Sequence, residues 1–265
     1  YRDYLEHSLG SQNLQGLKEP QLHTKFEIQK LKAPLEAHIH FEFGRLFKKY
    51  HLNSELSQAE FTNISDLLCN SLNEGEFAIT NETYNKASKD PTLSGPFDSY
   101  PESHLRESQI YTVSGKSYAL WLKLRDHICI KGTVPLSEFK TAVTEGSTIL
   151  NKLKDSGLES LHDEELGYYS ENARNLVSNL RVQVILGLGA EFKNSLTDVL
   201  NKHGYKFDSK VSEGKNEVCM MPVGPALFND QISFINTIVE FINSEERMSP
   251  MGKDEDKHKI KIEED

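Results

Sequence analysis

Cysteine is scarce in this chain: 3 in 265 residues, Cys69, Cys129 and Cys219. They are widely spaced and form no CxxC pair. The sequence therefore offers neither a disulfide framework nor a cysteine-built zinc site, and at least one thiol stays unpaired. Such usage suits a soluble protein of a reducing cytoplasm, or a secreted one without a disulfide framework. Basic charge is also short: 30 Lys and Arg stand against 40 Asp and Glu, a formal net charge of −10. That balance works against binding a phosphate backbone, so nucleic acid is not an expected partner. The local patch Arg45, Lys48 and Lys49 is too small to change this. No apolar run approaches the roughly 18 residues needed to span a bilayer, and no leader-type segment opens the chain at Tyr1. Hydrophobic residues make up 37%, on the polar side of the globular range.

What the chain does have is one regular alternation. Leu35-Glu36-Ala37-His38-Ile39-His40-Phe41-Glu42-Phe43 switches between apolar and polar without exception. As a β-strand it buries Leu35, Ala37, Ile39, Phe41 and Phe43 on one face. The other face then carries Glu36, His38, His40 and Glu42. Two imidazoles two residues apart can reach one cation together, with the carboxylates as ligands or orienters. The bland reading of the same face is a solvated strand surface with histidines beside glutamates.

Elsewhere the spacing predicts mostly helix. A short helical turn is expected over Phe26 to Leu31, and an amphipathic helix over Ser54 to Leu72. Three prolines and Gly95 make Asp90 to Pro101 a loop. Ser117 to Ile130, with Trp121 in its middle, reads as helical, and so does the stretch from Pro135 to Leu153, ended by Gly157. After a helical Tyr168 to Leu180, Arg181 to Leu186 reads as a buried strand. A helix at 191–201 and a second strand at 218–223 follow, and the last helix carries Ile232, Ile235, Ile238 and Ile242. Strand, helix and strand in this order predict parallel neighbours joined by a crossover. Gly187-Leu188-Gly189 is expected as a tight turn, since the third glycine of a dinucleotide fingerprint is replaced by Phe192.

Residues 36–42 resemble the first-strand motif of the adenosine-deaminase-like amidohydrolases: acid, apolar, His, any, His, apolar, acid, then a glycine. Here Gly44 comes one residue late. The resemblance implies that His38 and His40 bind a catalytic zinc and that Glu42 contacts the substrate. It implies a β/α barrel and a metal-dependent hydrolase acting on a purine nucleoside or related amine, in which a metal-bound water attacks the ring carbon. The later motifs of that family are missing, and His127, His162 and His203 match none of them. On this reading the chain is a fragment or an inactive relative.

The expected fold is thus α/β and helix-rich, built of parallel β/α units as a partial or divergent TIM-type barrel. An N-terminal arm covers residues 1–24, a main domain 25–244, and a charged tail 245–265. The expected partner is a small-molecule substrate. The alternative is a non-enzymatic helical interaction module of the secreted bacterial effector type, binding a host protein. His127-Ile128-Cys129 is read as a buried thiol beside a histidine, not as a nucleophile with its base.

Overall fold

The alternation of residues 35–43 does make a strand, and that strand sits in the middle of the molecule. The computed structural model describes residues 26–32, 35–53, 55–73, 76–82, 90, 92–93, 95–98, 107–124, 126–163, 167–170, 180–188, 190–212, 217–223 and 228–244. Strand β1 (Ala37–Arg45) buries Ala37, Ile39, Phe41 and Phe43 in the main hydrophobic core. The expected arm and tail lie outside the described residues.

In chain order β1 is followed by α1 (Gln58–Leu72), β2 (Ile79–Glu82), β3 (Gln109–Val113), β4 (Tyr118–Leu122) and β5 (Ile128–Pro135). A 3-10 turn (Leu136–Glu138) leads into α2 (Phe139–Asp155), and a two-stranded hairpin follows, β6 (His162–Asp163) with β7 (Gly167–Tyr168). The chain then runs through β8 (Arg181–Leu186), α3 (Ala190–Lys202), β9 (Phe207–Ser212), β10 (Glu217–Pro222) and α4 (Phe228–Ser244). The described residues form one eight-stranded sheet in the order β2-β3-β4-β5-β1-β8-β10-β9. Every pairing in it is antiparallel.

This corrects the barrel expectation. Both C-terminal strands exist, and so does the helix between them. The crossover, however, joins β8 to β9, and β10 inserts between the two, antiparallel to each. The strand that reverses the direction, Phe207–Ser212, is a polar edge strand with no apolar run to announce it.

Residues 117–130 are also corrected, from helix to the β4–β5 hairpin. Tyr118, Leu120 and Leu122 enter the main core, whereas Ala119 and Trp121 enter a second core on the opposite side. A strand buried on both faces shows a continuous apolar run and no two-residue period, which cannot be told from a buried helix by pattern alone. The expected turn at Phe26 to Leu31 is extended as well. It lies along α4, where Asn236 and Asn243 each accept a backbone N–H (from Gln29 and Lys32) and donate to a backbone carbonyl (Glu27 and Lys30).

The helices form for local reasons. Ser57 caps α1 by accepting from the Glu60 N–H, while Glu60 Oε2 accepts from the Ser57 N–H at 2.9 Å, a reciprocal capping box. Helix α2 lies flush on β1 because Gly146 faces Phe43. A Cβ on Gly146 would sit 2.0 Å from Phe43 Cζ.

Gly146→Ala should therefore destabilise the protein by about 1–3 kcal/mol, the usual cost of overpacking, despite the better helix propensity of alanine. Urea unfolding checks this. A variant more stable by about 1 kcal/mol would show that helix propensity outweighs the contact with Phe43.

Candidate functional site

Because β1 is central, its polar side chains face others from the strands on both edges. Glu42 stands opposite Lys131 of β5 and Arg181 of β8, and His40 opposite Thr133 and Gln183. Residues directly opposite across a ladder share a face. The strict alternation in β1 thus meets a second one, Arg181-Val182-Gln183-Val184, and the two assemble a polar surface. None of it is solvated: His40, Glu42, Lys131, Arg181 and Gln183 are all buried. The solvated strand surface of the bland reading is not what forms.

What covers this surface is the loop at 92–98. Leu93 packs into the second core with Ile110, Trp121 and Cys129, and the Thr133 N–H donates to the Thr92 carbonyl. Asp98 then enters the middle of the polar face. Its Oδ2 accepts from Lys131 Nζ at 2.7 Å and from the Gly95 N–H at 2.9 Å. His40 Nε2 lies 3.5 Å from the same oxygen. The other oxygen, Oδ1, accepts from Gln183 Nε2 at 3.1 Å, with an Arg181 nitrogen 3.8 Å away. The backbone joins in: Gln183 Oε1 accepts from the Phe97 N–H, the Phe97 carbonyl accepts from Arg181, and the Pro96 carbonyl accepts from Lys210 Nζ. Gly95 is needed at its place, since a Cβ there would lie 2.4 Å from His40 Cδ2 and 2.6 Å from Gln183 Nε2.

The electrostatics follow from these contacts. Burial raises the pKa of Asp98, but the imidazole of His40 and the ammonium of Lys131 outweigh it. The carboxyl is held well below the usual carboxylate range. Arg181 also pairs with Glu42 Oε2 at 3.5 Å and points its Nε at Met221 Sδ. The face is thus a set of cationic and amide donors gathered around one internal carboxylate. Cys129 and Cys219 lie buried near it with thiols whose pKa burial pushes up, that of Cys219 to about 12. Neither is an available nucleophile at neutral pH.

The residues singled out from sequence fall as follows. His40 and Glu42 are on this face, His40 with Nδ1 on Thr133 Oγ1 at 2.9 Å. His38 is half-buried and lines a separate cavity of about 660 Å³, between residues 27–31 and 135–140. Glu36 lines that cavity too. Among the described residues no group of three His, Cys, Asp or Glu could hold a metal ion. His162 belongs to the β6–β7 hairpin, and His203 follows α3, so neither completes a ligand set. His127 lies at the start of β5, not on a helix. Its Nδ1 accepts from the Phe47 N–H at 2.8 Å and its Nε2 donates to the His51 carbonyl at 2.6 Å. Acceptance at Nδ1 requires the neutral ring.

Comparison with known proteins places this arrangement. The family model for the ATP:guanido phosphotransferase C-terminal catalytic domain matches residues 50–218. Among solved structures, a lombricine kinase is similar over 89% of this chain and 76% of its own, with TM-score 0.63 and 13% identity. The duplicated taurocyamine kinase of Schistosoma mansoni, bound to transition-state-analogue components, is similar over 91% of this chain, with TM-score 0.67 and 13% identity. Its substrate-free form gives TM-score 0.64 at 15% identity, and this chain spans 37% of either taurocyamine kinase chain. No curated protein matches the sequence.

These findings overturn the deaminase-like resemblance. The His38/His40 strand belongs to an antiparallel phosphotransferase-type sheet, and neither a zinc-dependent hydrolase nor a non-enzymatic effector module agrees with a catalytic-domain match. Zinc is withdrawn with the hydrolase. The short motif misled because alternation of acid and histidine is a property of any buried polar strand face, not of one family.

Burial lowers the pKa of His127, and the sign of its pH dependence follows. A histidine with a depressed folded pKa gives its full stabilisation above the unfolded value of about 6.5 and loses it as the pH falls. Unfolding free energy should thus decline between about pH 7 and pH 5, and His127→Asn should be less stable at pH 7 but flatter across this window. Exposed His51, whose pKa its hydrogen bond to Glu60 raises, works weakly in the opposite sense. Denaturant curves at several pH values test this, and equal slopes for both proteins would contradict it.

Proposed function

Because the chain belongs to the family of ATP:guanido phosphotransferase C-terminal catalytic domains, we propose that the polar face of its sheet carries phosphoryl transfer between ATP and a guanidino compound. The observation behind this is the buried seat of Asp98, where Lys131, Gln183, His40 and Arg181 gather around one anionic group. Phosphoryl transfer asks little covalent chemistry of a protein. It needs positioned donors for the charge on the phosphate oxygens. Lys131 offers a point charge and Arg181 a planar fork, the two kinds of donor that phosphate groups use. Lys210, on β9, would extend the seat towards the sheet edge.

Glu42 is the complementary group. Its carboxylate already faces the guanidinium of Arg181 at 3.5 Å, and a guanidino substrate presents the same planar cation. Glu42 would orient it, with its reacting nitrogen turned to the phosphate. Both carboxylates on the face, Glu42 and Asp98, are already paired with cations, so the described residues form no magnesium site of their own. A magnesium ion would come with the nucleotide and would neutralise charge on its phosphates.

The seat is filled by the chain itself. A phosphate oxygen and the Asp98 carboxylate would use the same donors, so nucleotide binding requires residues 95–98 to leave. The resting form of this face is closed.

Two measurements test the proposal. In a coupled assay with ATP and a panel of guanidino compounds, transfer is expected to at least one of them, and to be lost in Lys131→Met. No transfer to any compound, together with no ATP binding by calorimetry, would overturn it. Asp98→Asn keeps one acceptor oxygen, enough for Lys131 or Gln183 but not both, while removing the competing charge, and so should bind ADP at least about tenfold more tightly, a gain of about 1.4 kcal/mol. Equal affinity would show that the phosphates do not use this seat.

A further inference from the structure

The patch Arg45, Lys48 and Lys49 noted in the sequence takes no part in the face described above. Arg45 has the parity of Phe41 and Phe43, so it points to the helix side of the sheet. There it lines a cavity of about 470 Å³ with Lys48, Lys154, Glu159, His162 and Tyr168, within the size range of small-molecule sites. We propose that this helix-side cavity is a second anion site, which takes the phosphate group of a small phosphorylated molecule.

Charge is the first argument. Three fixed cations, Arg45, Lys48 and Lys154, line the cavity against one carboxylate, Glu159. That carboxylate is taken by Lys48 at 2.6 Å. In a chain of formal net charge −10, such a local excess of positive charge needs a reason.

Burial is the second. Arg45 is 2% exposed, and a buried charge is normally paired. Its NH1 donates to the Gly44 carbonyl at 2.7 Å, and its Cζ lies 3.9 Å from the centre of the Tyr168 ring. No carboxylate of a described residue forms an ion pair with it. Burial pulls the guanidinium down to about 10, against the smaller opposing effects of Tyr168 and Asp126, so it still carries its charge at neutral pH. Its acceptors, the Gly44 carbonyl and the Tyr168 side chain, are uncharged groups, so among the described residues its five donors have no paired anion.

The shape is the third. Tyr168 stacks under Arg45, and the His162 ring lies tilted beside it at a centroid distance of 5.0 Å, so the three form one side of the cavity. Ser147 of α2 and Ser160 add hydroxyls to the lining. Guanidinium, ammonium and hydroxyl donors around one cavity are the chemistry that recognises a phosphate group. The site is on the other side of the sheet from Asp98, and its existence does not depend on the phosphotransferase reading.

The test uses the whole chain with inorganic phosphate as probe, at constant ionic strength. Thermal unfolding and calorimetry compare the wild type with Lys154→Glu, His162→Ala and Lys131→Met. The first two change partly exposed lining residues and should fold; the third alters the opposite face. Phosphate should raise the melting temperature of the wild type and of Lys131→Met alike. In Lys154→Glu the dissociation constant should weaken at least tenfold, and the His162 and Tyr168 ring resonances should shift only in proteins that bind. No binding by the wild type would overturn the proposal. So would binding unchanged in Lys154→Glu, or binding lost only in Lys131→Met, which would assign the phosphate to the Asp98 seat instead.

Discussion

A single buried ion pair network holds this molecule's polar face shut. Strand β1 is hydrogen-bonded on both edges, so both of its faces need covering. The apolar face is covered by helices and the fit of Gly146 on Phe43. The polar face would leave Lys131, Arg181 and Glu42 as buried charges, which is costly unless they are paired. Asp98 resolves this by entering from a loop, and it brings with it residues 95–98 and the Leu93 contact that completes the second core. Remove its charge and the face keeps Lys131 and Arg181, with Glu42 as its only buried carboxylate among the described residues.

That arrangement ties the fold to the chemistry of the family. A face that stabilises a carboxylate in a low-dielectric site would stabilise a phosphate oxygen in the same way, since both are oxyanions that accept charge-assisted hydrogen bonds. On the proposed function the internal carboxylate and a bound phosphate compete for the same donors, and the strength of the internal network would set how much nucleotide opens the face. The helix-side cavity around Arg45 shows the opposite condition: a buried cation that no carboxylate of a described residue pairs with. The two places lie on opposite sides of one sheet and differ, among the described residues, in whether a carboxylate is paired with the buried cation.

Much of the fold was legible where a pattern had one solution. The unbroken alternation at 35–43 could be little else than a strand. The amphipathic stripes of α1, α2 and α4 identified helices, and the β-branched residues Val182, Val184 and Ile185 identified β8. Other parts were not legible, for physical reasons. Tyr118 to Leu122 is buried on both faces, which erases the period that separates strand from helix. Whether β8 and β10 run parallel depends on the intervening strand 207–212, whose residues are polar at the sheet edge. Within the site, Glu42 and His40 were found by alternation. Arg181 and Gln183 carry the same alternation on β8, but the apolar Val182, Val184, Ile185 and Leu186 dominate that stretch. Asp98 gave no local signal at all. Its role comes from tertiary contact with residues 33 to 85 positions away in the chain.

The most direct measurement of this account is the titration of the Asp98 carboxyl itself, followed by its carbon-13 resonance in the free protein and with saturating ADP. In the free protein it should stay ionised well below the usual carboxylate range. With nucleotide bound it should return to an ordinary value near 4, because its donors have passed to the phosphates. An Asp98 that titrates normally in the free protein, or that stays depressed while nucleotide is bound, would contradict the central claim.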